Sequence, residues 1–100
     1  MREDRQRIDK WLWFARFAKS RTLAAKLVHS GYVRVNGQRI DSAAKAVAVG
    51  DVVTLALART IAVVRVAALG ERRGPAPEAR LLYADLGRDD PTLASEEAKG

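Results

Sequence analysis

The spacing of apolar residues changes once, at Gly31, and that change restricts the chain more than any other feature. Before it, Trp11, Leu12, Phe14, Ala15 and Ala18 recur three and four residues apart, and Leu23, Ala24, Leu27 and Val28 repeat the pattern. After it, Tyr32-Val33-Arg34-Val35 alternates apolar with polar and runs into Asn36-Gly37. Type I′ hairpins favour that dipeptide because both central residues need positive φ. Two amphipathic helices followed by a hairpin predict an α+β fold. Asp9 is the expected N-cap of the first helix, with Ile8 before it as a hydrophobic staple. Ser20 is the expected N-cap of the second, and Gly31 stops it at C′, where the left-handed conformation is needed. Val33 and Val35 face inward, which turns Tyr32 and Arg34 outward.

The other side of helix one carries Lys10, Trp13, Arg16 and Phe17. Two aromatics on a cationic face can stack on bases, but in a small domain packing beneath a neighbouring segment is the better reading of Trp13 and Phe17. Residues 41–46 read as a loop with one helical turn. Val52–Leu57 and Thr60–Val66 read as β-branched strands joined by a tight turn at Ala58-Arg59. Their nearly continuous apolar runs predict a sheet covered on both faces: by the two helices on one, and on the other by a helix from Pro77 or Glu78 to about Leu86.

The expected architecture is therefore two N-terminal helices packed on a small, mostly antiparallel sheet, plus a short C-terminal helix. Residues 1–6 form a frayed arm, 7–69 the main domain, 70–86 a loop and the last helix, and 87–100 a mobile acidic tail. No repeat and no second domain are expected.

Charge supplies the functional signal. From Arg5 to Arg39 there are nine cations and one anion, Asp9, a local net charge of +8, whereas all 100 residues carry only +6. The remainder therefore sums to −2, and so concentrated a charge is the footprint of a protein that meets a polyanion. Other chemistries have little to work with. The chain has no cysteine and one histidine, His29, with no serine or acid spaced to partner it. No catalytic residue, cofactor or metal site is expected. The first ten residues are charged where a signal peptide needs an apolar run, and no segment approaches the roughly 20 apolar residues that span a bilayer, so a cytoplasmic protein that does not bind membranes is expected.

R-I-D-K-W-L-W, K-S-R and G-Y-V-R-V-N-G, in this order and spacing, resemble the S-four domain, a small RNA-binding module named after a ribosomal small-subunit protein. Further pieces, A-R-F-A-K-S-R and E-R-R-G-P-A-P-E-A-R-L-L-Y, look like the bacterial heat-shock protein fifteen group and extend the resemblance to about residues 7–86. It implies a non-catalytic protein that binds ribosomal RNA and the large ribosomal subunit, especially a stalled one carrying peptidyl-tRNA, under stress. The family's RNA contacts fall on Arg16, Lys19 and Arg21, with Lys10, Lys26 and Arg34 beside them. Arg7, Ser20 and Arg39 complete the expected RNA-binding set. The group often continues into a long basic extension, whereas the last fourteen residues here, GRDDPTLASEEAKG, hold more acids than bases.

Arg16, Lys19, Arg21 and Arg34 are expected to converge where the helices and hairpin meet. Such contacts hold phosphates and read RNA shape more than sequence. Rival readings are a general structured-RNA or tRNA-binding module and a DNA-binding helix-turn-helix. Helix two offers few polar side chains for base edges, so duplex DNA is expected to bind more weakly. The protein is expected to be a monomer.

Overall fold

The computed structural model describes residues 4–57 and 60–89. Its elements run β1 (Arg5–Arg7), α1 (Ile8–Phe14), α2 (Arg21–His29), β2 (Val33–Val35), β3 (Gln38–Arg39), β4 (Ala46–Ala48), β5 (Val52–Ala56), β6 (Ile61–Val66), α3 (Ala76–Ala79), a 3-10 turn (Arg80–Leu82) and β7 (Tyr83–Asp89). The expected α+β class is observed. Five strands form an antiparallel sheet in the order β3-β2-β5-β6-β7, and β1 pairs with β4 in a separate ribbon.

Both N-terminal helices form and end where local chemistry directs. Ser20 adopts extended dihedrals, and its Oγ accepts the Leu23 N–H at 3.0 Å, satisfying one of the free donors of α2. At the other end Gly31 has φ +84°, its N–H bonds Val28 and the Tyr32 N–H bonds Leu27, which together close a Schellman motif. Helix α1 closes in the same way, with Arg16 at φ +68° in the glycine position and N–H bonds from Arg16 to Trp13 and from Phe17 to Leu12. Asn36 (φ +53°) and Gly37 (φ +83°) make the expected I′ turn.

Trp11, Leu12, Ala24, Val28, Val33, Val53, Leu55, Val64 and Val66 are buried in one core between the helices and the sheet's inner face. Burial of apolar surface at about 25 cal/mol per Å² is the main source of stability in a chain without disulfides. Trp11 also donates its indole N–H to the Ala68 carbonyl at 3.0 Å. Phe17 lies 4.8 Å from Tyr83 and packs against the core, so it follows the packing reading, whereas Trp13 is half-buried and stacks on Phe14 of its own helix with centroids 5.3 Å apart. Leu23 departs from its stripe: it is 43% exposed, because α2 buries only a narrow strip around Ala24 and Val28.

Five expectations are corrected. Asp9 is not an N-cap: α1 starts at Ile8, Arg7 holds the cap position, and no side chain caps the helix. Residues 5 and 6 are not frayed, because Arg5–Arg7 pairs with Ala46–Ala48 while the Gln6 amide donates to the Gly70 carbonyl (2.8 Å) and accepts its N–H (3.1 Å). The last helix is a single turn, Ala76–Ala79; Tyr83–Asp89 continues as a strand on β6, and Leu81 is 71% exposed. Strand β7 thus covers an edge of the sheet and not its second face, where Ala56, Ile61 and Arg65 are exposed. It also carries Gly87 to Asp89, which the sequence assigned to a mobile tail. The rest of that tail and the Ala58-Arg59 turn lie outside the described residues. No helix among the described residues is long and apolar enough to cross a membrane.

Candidate nucleic-acid interface

Short, rigid elements carry the cationic side chains. Asp9 is their organising centre, although only 3% of its surface is exposed. Arg7 grips its carboxylate with both ends of a fork, Nε to Oδ1 at 3.1 Å and Nη2 to Oδ2 at 2.9 Å, and Arg21 Nε lies 3.6 Å from Oδ2. Burial pushes the Asp9 carboxyl up. The Arg7 hydrogen bonds, the charges of Arg7 and Arg21 and the Lys10 backbone N–H outweigh it, so Asp9 titrates below the usual carboxylate range. The Arg7 and Arg21 side chains remain 48% and 43% exposed, so each is fixed at one edge and open to solvent at another. The start of α2 therefore presents Arg21, the capping Ser20 and the exposed Lys19 beside Arg7. Free N–H groups and aligned peptide dipoles at a helix start favour an anion in that position.

The remaining members of the expected set lie elsewhere. Arg16 is exposed, but its Nε donates to the Gly74 carbonyl at 2.7 Å, which ties the left-handed corner of α1 to the loop before α3. Lys10 Nζ sits 5.9 Å from the Phe14 ring centroid. Lys26 is exposed in the last turn of α2, at the opposite end from Ser20. Arg34 and Arg39 are exposed cross-strand partners on β2 and β3. Arg39 lies against the C-terminal end of α2: a Cβ added at Gly31 would meet its Nη2 at 2.7 Å. The structure thus gathers Arg7, Lys19, Ser20 and Arg21 at one end of α2. The expected convergence of Arg34 with them is corrected, because the length of α2, about 13 Å at 1.5 Å per residue, separates the two groups.

Sequence reasoning missed the role of Asp9. A signal was present: it is the one acid among nine cations between Arg5 and Arg39, and an isolated buried charge needs partners.

Comparison with known proteins places this arrangement. The family model of the S4 domain, the S-four module named above, matches residues 6–53. Heat shock protein 15 of Vibrio cholerae, solved as a trimer, superposes with a TM-score of 0.80 at 36% identity, covering 95% of this chain and 94% of that one. The chain belongs to the heat shock protein 15 family. Heat shock protein 15 of Escherichia coli K12 is 44% identical over 79 residues, and the Haemophilus influenzae homologue 41% identical over 85. The chain spans 59% and 64% of the lengths of those two relatives.

Proposed function

We propose that this member of the heat shock protein 15 family binds folded ribosomal RNA through the rim formed by Arg7, Lys19, Ser20 and Arg21, with Lys10, Arg16, Lys26, Arg34 and Arg39 as outlying contacts. It does so on the large ribosomal subunit, in the rescue or recycling of stalled subunits that carry peptidyl-tRNA. One observation carries the reading: a buried carboxylate pairs two arginines beside a capped helix start. A carboxylate buried at this cost orients guanidinium groups that would otherwise sample many rotamers, and oriented donors suit phosphate oxygens. The exposed polar groups of α2 are only Arg21, Thr22, Lys26 and His29, two of them cations, which favours backbone contacts over reading bases.

The test is sedimentation of the full chain with purified large subunits, alongside titration of a ribosomal RNA fragment. Arg21→Glu lowers affinity at least tenfold while circular dichroism shows the fold retained, with a lower thermal midpoint because the new carboxylate faces Asp9, and the parent loses affinity with log salt at a slope of about −3 to −5, as expected for roughly four to six neutralised phosphates. Duplex DNA competes more weakly than the RNA. Equal RNA affinity of the Arg21→Glu variant and the parent would overturn the assignment.

A further inference from the structure

The face of the five-stranded sheet turned away from the helices has a composition of its own. Strand register places Arg39, Arg34, Thr54 and Val63 in one row across β3, β2, β5 and β6, with Val52 and Arg65 opposite each other in the next row. On the other side of the first row, the Ala56 N–H bonds the Tyr32 carbonyl and Ala56 pairs with Ile61, which lines up Tyr32, Ala56 and Ile61. Tyr32 is 50% exposed, Ile61 38%, and Arg34 and Arg65 are exposed. The outward positions of β2, β5 and β6 hold two arginines and no carboxylate, Tyr32 lies just before β2 in line with them, and the inward positions are apolar and buried; on β7 the register sets Ala84 opposite Arg65 and Asp89 opposite Ile61.

We propose that this sheet face is a second nucleic-acid surface, which takes a single-stranded RNA segment next to the folded RNA held by the helix rim. Arg34 and Arg65 lie two strands apart and one row offset, roughly 12 Å at normal strand spacing and rise, far enough to hold different phosphates of one extended strand. Tyr32 lies one row from Arg34 on the same side, and Ala56 and Ile61 leave its ring uncrowded, so a base can stack on it. An exposed aromatic ring at one end of the face, followed row by row by Arg34 and Arg65 on an open sheet, suits unpaired bases; a duplex would hide its bases from the ring. A second copy of the chain is a poorer occupant, because two such faces brought together would oppose arginine to arginine.

The proposal rests on the RNA-binding reading above, and two probes separate their failures. Fluorescence anisotropy with a labelled single-stranded oligouridine reads the sheet face, and a folded ribosomal RNA hairpin reads the rim. Tyr32→Ala and Arg65→Glu each weaken oligouridine binding about tenfold and leave hairpin affinity within twofold, while Tyr32→Phe, which keeps the ring, binds oligouridine as the parent does. Arg21→Glu shows the reverse preference, losing the hairpin more than the oligouridine. Circular dichroism establishes that each variant is folded, as expected for exposed positions. Unchanged oligouridine affinity in both Tyr32→Ala and Arg65→Glu overturns the proposal. So does a shift in oligomeric state by analytical ultracentrifugation for either variant, which would make this face a contact between copies.

Discussion

Replacing Asp9 with asparagine removes one charge and almost no volume, so its effects isolate what the carboxylate does. In the parent, Asp9 receives two charge-assisted bonds from Arg7 and the nearby charge of Arg21 while only 3% of its surface is exposed. Hydrogen bonds to charged groups contribute about 1.5–3 kcal/mol. Both arginines are close to half exposed, so solvent screening reduces that range to about 1–2 kcal/mol. For a domain this size such a loss lowers the thermal midpoint by roughly 5–10 °C. The sign with pH follows from the direction of titration. A carboxyl held below its unfolded value stabilises the fold above that value, near pH 4, and the contribution is lost as pH falls through the folded value. Differential scanning fluorimetry should therefore give a constant gap between parent and Asp9→Asn from about pH 7 to 5, closing below about pH 4. RNA titration supplies a sharper test, since the substitution makes the rim one unit more positive. If charge alone governed binding, affinity would rise; because Asp9 orients Arg7 and Arg21, affinity should fall severalfold. Tighter RNA binding with an unchanged midpoint would refute the reasoning.

Two predictions concern the frame that holds the rim. Leu12→Ala empties a fully buried position and should cost about 2–5 kcal/mol in chemical denaturation, whereas Leu27→Ala, at a half-buried position, should cost clearly less. Ser20→Ala frees the Leu23 N–H and should cost about 1 kcal/mol, and because it leaves every cation in place, hairpin affinity should fall less than for Arg21→Glu.

What could be read directly from the chain shares one property: the deciding interactions span only a few residues. Ser20 bonds a donor three residues on, Gly31 ends α2 through its own φ, and Asn36-Gly37 turns the hairpin with two torsions. The spacing of Trp11, Leu12 and Ala15 was enough to select the buried side of α1. Charge density marked the cationic half for the same reason, since a local count needs no fold.

The tertiary structure decided everything in which a segment chose between a local preference and a distant partner. Leu81, Leu82 and Tyr83 sit in a helix-compatible pattern, yet an open edge on β6 offers Tyr83–Asp89 antiparallel pairing, interrupted by one register shift between Val63 and Val64, and takes the segment as β7. Arg5–Arg7 is held by β4 and by Gly70, more than sixty residues from Gln6. Asp9 looked like a cap because caps are local, but burial brought Arg7 and Arg21 to it and made it the organiser of the rim. The fold likewise sorted one run of cations into two groups at opposite ends of α2. Sequence states which charges a chain owns; only packing, which sets the distances between residues far apart in the chain, determines which of them act together.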